Sequence, residues 1–239
     1  MAQGIAQIRR SVLTLALPVT VSSLLQRAEG IVAVFLVGGL GAVPIAAVGL
    51  GQLLAFIATT LVSGLSVGSN VVMAQLWGAR RYDDAGHAAR HFLGLSILIA
   101  LGLLSFGLLV NRLAMEMLGA QADVIRLALP YSNLIFLLIP FTILLQVLSS
   151  ILQGTGDTKT PMYAMIVVNL LHIAIAIPLI YGHWGLPALG INGAAIAVGI
   201  AEATGCLYLF TRCRPMLRGS HRFRFDLIRT IWHAGAPVS

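Results

Sequence analysis

Two stretches of this chain, residues 30–79 and 127–156, contain no Asp, Glu, Lys or Arg. An uninterrupted apolar segment of about 20 residues already spans the hydrocarbon core of a bilayer. Of the 239 residues, 58% are hydrophobic and only 10% charged, too few charges to cover a soluble domain of this size. The solvent for most of this chain is therefore lipid. Backbone groups in lipid must pair among themselves, which calls for helices.

Apolar length and punctuation predict six of them. The first runs from Ser11 to Val37, ending at Gly38–Gly39–Leu40–Gly41, and the second from the first-turn proline Pro44 to Trp77–Gly78. The third covers Asp84–Val110 and the fourth Val124–Gln153. Thr160–Pro161 reads as an N-cap and first-turn pair opening the fifth, which ends near Tyr181–Gly182, and Gly190–Thr211 forms the sixth. Arg9–Arg10 before an apolar run imitates a secretory signal, but no small-x-small cleavage site follows and five more spans do.

Positive charge sets the orientation. Arg9, Arg10, Arg80, Arg81, Arg90, Lys159, Arg212, Arg214, Arg218, Arg222, Arg224 and Arg229 fall on one side of the predicted spans. Arg112 and Arg126 fall on the other, and Arg27 lies within the first helix. The N-terminus is accordingly expected in the cytoplasm and the protein in the cytoplasmic (inner) membrane. The net charge of +7 does not imply nucleic acid, because a membrane-tethered basic segment offers no folded reading surface. Its arginines suit anionic lipid headgroups.

The phrase Arg10 to Thr20, with Leu17-Pro18-Val19-Thr20 at its end, recurs as Arg229 to Ser239, ending Ala236-Pro237-Val238-Ser239. A long-period repeat in so apolar a chain points to a transporter built from two equivalent halves. The expected organisation is a six-helix lobe over 1–211, a basic cytoplasmic connector over 212–228, and the truncated start of a second lobe at 229–239. The fold class is an all-α membrane protein, with six transmembrane helices forming one lobe of a duplicated twelve-helix transporter. An even number of spans makes the halves parallel, related by an axis along the membrane normal.

The run from Gly64 to Ala79, Gly-Leu-Ser-Val-Gly-Ser-Asn-Val-Val-Met-Ala-Gln-Leu-Trp-Gly-Ala, resembles the second-helix signature of the multidrug and toxic compound extrusion (MATE) transporters. Leu15-Ala16-Leu17-Pro18 resembles that family's first-helix proline motif. Gln153-Gly154-Thr155-Gly156-Asp157-Thr158-Lys159-Thr160-Pro161 resembles its fourth-to-fifth helix loop, and the run from Leu189 to Ala197 the start of its sixth helix. The resemblance implies two six-helix lobes around a central cavity, with no enzyme activity. It implies export of organic, often cationic compounds against proton or sodium flow, and no cofactor beyond the coupling ion. The partners it implies are membrane lipid, a small organic cation and the C-terminal lobe. The family's first helix usually carries an aspartate where this chain has Ala33; its fifth pairs an asparagine with an aspartate where this chain has His172 and Ala176.

Four ionisable residues fall inside predicted spans: Arg27, Glu29, His172 and Glu202. Counting about 1.5 Å per residue from the expected outer helix ends puts all four roughly 13–18 Å deep. Each polar group lies about one turn to the cytoplasmic side of the family's usual position. Glu29 precedes Ala33 by four residues, His172 precedes Ala176 by four, and Glu202 follows Val198, where relatives often carry a threonine. Gln26 and Asn169 are expected to add hydrogen-bonding capacity. Charge at bilayer depth is costly and calls for a function or a partner. One reading is a displaced ion-coupling or substrate site. Others are a static pair of Arg27 with one glutamate, with His172 bonded to a backbone carbonyl, or placement against lipid.

Pro18, Pro140 and Pro178 are candidate hinges, and Gly64/Gly68 have spacing that permits close helix approach. His87, His91 and Asp83 are four apart, but no supporting Cys/His set accompanies them. No Gly-Lys-Ser/Thr follows Gly154-Thr155-Gly156, so no ATPase site is expected. The function expected is secondary active multidrug or organic-cation efflux by proton or sodium antiport. The rivals are a lipid-linked oligosaccharide flippase of the same superfamily and a non-transporting or half-size membrane subunit.

Overall fold

The computed structural model describes residues 2–217 except 184 and 186, with side chains from Leu13 onward. Six long helices follow one another: α1 (Ala2–Val37), α2 (Ala42–Gly78), α3 (Tyr82–Met117), α4 (Ala122–Gly154), α5 (Lys159–Tyr181) and α6 (Ile191–Leu217). A short 3₁₀ turn at Gly38–Leu40 joins α1 to α2. All six helices are long and apolar enough to cross a membrane. At about 1.5 Å per residue, the 37-residue α2 is some 55 Å long, so it must tilt or emerge from the hydrocarbon layer.

The second copy of the repeated phrase (229–239) and most of the expected connector lie outside the described residues. The sixth helix continues past Thr211 to Leu217, so Arg212 and Arg214 are helical. The third runs on to Met117, past the expected end at Val110. The reason is local: Arg112 bonds Glu116 one turn on at 2.9 Å, and Asn111, polar in sequence, is buried against α4. There Asn111 donates to Asn133 Oδ1 at 2.7 Å and accepts from Ser132 Oγ at 2.9 Å. The α5 N-terminus also differs from the sequence reading. Thr160 is already helical, and the cap comes from Asp157, whose carboxylate accepts from Thr160 N at 3.0 Å and Thr160 Oγ1 at 2.6 Å.

Helix α4 is the spine, packing against α2, α3 and α6, while α5 packs against α6 and α1. Glycines set several of these approaches. A side chain at Gly154 would meet the Asn70 carbonyl oxygen at 2.6 Å, and one at Gly193 the Leu179 carbonyl oxygen at 2.6 Å. Gly64 and Gly68, expected to mark a close approach, have no neighbour within 4 Å of such a position. Their spacing does not serve packing among the described residues. Helix α1 is peripheral: Leu17, Leu24, Ile31 and Phe35 are exposed, as suits a surface bathed in lipid.

α1, α4 and α5 continue through Pro18, Pro140 and Pro178 as single helices. Pro178 sits in the last turn of α5, where its carbonyl accepts from Gly182 N at 2.9 Å and His183 N at 3.1 Å. Gly182 has φ +73°, the left-handed conformation of a helix-terminating glycine. Pro178 therefore belongs to a helix end rather than to a mid-span hinge.

Replacing Gly154 by Leu should destabilise the intact protein in detergent by at least about 1–3 kcal/mol, because the Asn70 backbone cannot yield as a side chain could. Gly64→Ala should melt within a degree or two of the parent. Equal melting temperatures for the two variants would contradict this packing.

Candidate functional site

Four helices each contribute one stripe to a common cavity of about 700 Å³. From α1 come Gln26, Arg27, Glu29, Gly30 and Ala33, a set at helical spacing. α2 supplies Gln52, Phe56, Thr59, Thr60 and Ser63; α4 supplies Tyr131, Ile139, Thr142 and Gln146; α6 supplies Val198 and Glu202. The site thus joins residues more than 170 positions apart in sequence. Ala33 and Val198, where the family resemblance leads one to look for polar groups, both line the cavity. The carboxylates stand one turn away on the same two helices.

Helix register fixes their level. Asn169 Nδ2 donates to the Leu25 carbonyl at 3.3 Å, across 144 residues, and Tyr181 Oη to the Leu36 carbonyl at 2.8 Å, across 145. That register sets His172 beside Ala28, next to the level of Glu29. On the other face of α5, Gly193 lies against Leu179 and Gly205 against Val168. Interpolating between these contacts sets Glu202 beside Leu171. Glu29, His172 and Glu202 therefore occupy one level of the bundle.

They do not all share one space. Glu29 and Glu202 both line the cavity. His172 is fully buried and is not part of the cavity wall; both ring nitrogens lack a hydrogen-bond partner. This overturns the expected imidazole–carbonyl bond. Asn169 is likewise outside the wall, its amide spent on the Leu25 and Met165 carbonyls. Arg27 is exposed, and the ion pairs among the described residues, Arg81–Asp84 and Arg112–Glu116, do not involve it. The static Arg27–glutamate pair does not form here.

Two polar bridges hold the carboxylates. Thr142 Oγ1 donates to Glu202 Oε2 at 2.7 Å, tying α4 to α6, and one turn on Cys206 Sγ donates to the Phe141 carbonyl at 3.1 Å. Both anchors directly follow Pro140. On the opposite wall, Gln52 Nε2 donates to the Gly30 carbonyl at 3.2 Å. Gln52 thereby links α1, next to Glu29, to α2. Glu29 Oε1 is buried without a partner.

Sequence reasoning missed Gln52, Tyr131, Thr142 and Gln146. A signal was present: each is a polar side chain inside a charge-free stretch, and Tyr131, Thr142 and Gln146 repeat at helical spacing. At the N-terminal end of α3, His87 Nδ1 lies 2.9 Å from Arg90, whose guanidinium also donates to the Leu217 carbonyl at 2.6 Å. Among the described residues no group of three His, Cys, Asp or Glu side chains is placed to hold a metal.

A six-helix bundle crossing a membrane, with a polar cavity opening between four of its helices, is the architecture of a transporter lobe. The MatE family model matches residues 18–177, and the chain belongs to that family. It is 30% identical over 218 residues to the probable multidrug resistance protein YoeA of Bacillus subtilis (strain 168), covering 91% of this chain and 46% of the relative. It is 29% identical over 247 residues to the multidrug resistance protein MdtK of Cronobacter sakazakii, covering 96% and 52%. Among solved structures, the Vibrio cholerae MATE transporter VcmN in the bent form superposes with a TM-score of 0.85 at 20% identity, over 96% of this chain and 52% of that one. This chain spans about half the length of the relatives it matches.

Thr142→Val removes the donor to Glu202 while keeping the side chain's shape. The bundle should lose about 1–3 kcal/mol, the cost of an unsatisfied buried polar group, and Thr142→Ser should retain most of it. Identical melting of the parent and Thr142→Val would show that this bridge carries no weight.

Proposed function

We propose that this chain is the N-terminal lobe of a cation-coupled efflux transporter in the cytoplasmic membrane, with its N-terminus in the cytoplasm. Its relatives are named as multidrug resistance proteins, which supports export of organic compounds from the cell. The observation that carries the reading is the opening of Glu29 and Glu202 on one lipid-embedded cavity. Two ionised carboxylates there, with no internal cation paired to them, are unstable unless a counter-charge arrives. A cationic substrate supplies it in one state, and a proton or sodium ion supplies it in the other. Loading the coupling ion from outside would expel the substrate, and loading substrate from inside would expel the ion. That exchange is antiport.

His172, level with both glutamates and unpartnered in the packed wall, is a further proton acceptor once the helices around it part. The bend that parts them is assigned to α1 at Pro18, since α1 is the peripheral helix and carries Glu29. A C-terminal lobe closes the other side of the cavity. Among the described residues Arg27 is the only basic one lining it, which does not suit a phosphate headgroup and favours a cationic substrate.

The test is drug efflux by the intact protein in vesicles under imposed pH or sodium gradients. Glu29→Gln and Glu202→Gln should each reduce gradient-driven efflux at least about tenfold, and His172→Ala should shift its pH profile. Whichever gradient drives the parent identifies the coupling ion. Parental rates and an unchanged pH profile in all three variants would remove the assignment.

A further inference from the structure

Arg27 and the carboxamides of Gln26 and Gln146 bring N–H donors to the cavity, while its carboxylates and α2 hydroxyls face it as acceptors, and aromatic faces are few. Glu29 Oε1 is buried without a partner, and Glu202, 4% exposed, accepts a bond from Thr142. The hydroxyl protons of three α2 residues on the wall are already spent. Thr59 Oγ1 donates to the Ala55 carbonyl at 2.9 Å, Thr60 Oγ1 to that of Phe56 at 2.7 Å, and Ser63 Oγ to that of Thr60 at 2.7 Å. What these three side chains present to the cavity is oxygen lone pairs. Gln26 and Gln146 add carboxamide oxygens, beside their N–H donors, that no hydrogen bond among the described residues engages.

Aromatic surface is scarce by comparison. The Tyr131 ring is 1% exposed, packed where a side chain on Gly51 would meet it at 2.8 Å. Phe56 alone turns an open aromatic face to the cavity. Cations without N–H groups are bound chiefly by aromatic cages through cation–π attraction, and one ring is not a cage. Cations rich in N–H groups are bound by carboxylates and other acceptors through charge-assisted hydrogen bonds.

We infer that this lobe selects organic cations that carry several N–H donors, such as guanidinium, amidinium or primary ammonium groups, over quaternary ammonium ions of similar size. The selection follows from the cost of an unmet buried acceptor. A quaternary ammonium cannot donate a hydrogen bond to the Glu29 and Glu202 carboxyl groups, whereas a guanidinium can. Gln26 and Gln146 are then specificity-determining residues, offering further acceptors to a donor-rich ligand. The inference rests on the reading of the Glu29/Glu202 cavity as the substrate site.

The experiment is displacement of bound ethidium from the intact protein in lipid nanodiscs at pH 8, without any ion gradient. The competitors are benzylguanidinium and benzyltrimethylammonium, both permanently charged at that pH and alike in their apolar part. Benzylguanidinium should displace ethidium at a concentration at least about tenfold lower. Glu29→Gln should abolish that preference, and Gln146→Leu should narrow it at least threefold. Equal potency of the two competitors on the parent protein, a comparison that needs no variant, would overturn the inference. So would a preference that survives both substitutions. Ethidium and both competitors binding Glu29→Gln and Glu202→Gln as tightly as the parent would instead overturn the substrate-site reading beneath it.

Discussion

A carboxylate held midway through a bilayer has to be neutralised by something, and in this lobe nothing within the chain does so completely. Glu29 and Glu202 line one cavity, and Arg27, which lines it too, forms an ion pair with neither among the described residues. Thr142 and Gln52 position the two helices but carry no charge. The site is therefore incomplete by construction. Under the proposed function its missing charge is supplied by a transported or coupling cation, since only a weakly satisfied site can exchange one cation for another.

The rest of the bundle makes that incompleteness tolerable. α4 is packed on three helices, and its glycine-lined contacts with α2 leave little room to move. α1, by contrast, is anchored to α5 by side chain–carbonyl bonds from Asn169 and Tyr181, and to α2 by Gln52. These are single hydrogen bonds, each worth about 1 kcal/mol net, on a helix whose outer face is apolar and open. The lobe thus combines a rigid spine bearing one carboxylate partner with a loosely held helix bearing the other carboxylate. Asp157 shows the same economy at the loop before α5, where a motif residue caps a helix instead of binding a ligand.

Comparison with the family sharpens the point about position. Ala33 and Ala176 stand where the resemblance calls for carboxylates, yet Glu29 and Glu202 return two of them to the same cavity from one turn away.

The lipid-spanning helices, their number and order were legible in composition and periodicity, since an apolar stretch of such length has no other stable form in a bilayer. The common depth of Glu29, His172 and Glu202 was legible too, because a fixed rise per residue converts sequence position into height. Height says nothing of azimuth. Which way each side chain turns depends on the rotation and packing of neighbouring helices, and so only the tertiary structure separated His172 and Asn169, sealed in the α5 wall, from Glu29 and Glu202, open to the cavity. The same holds for Gly64 and Gly68, whose spacing suggested contact that the helix's rotation does not make. Sequence by itself determined that ionisable groups would be carried into the bundle at one level; the packing of α1, α2, α4 and α6 alone decided which of those groups line the cavity.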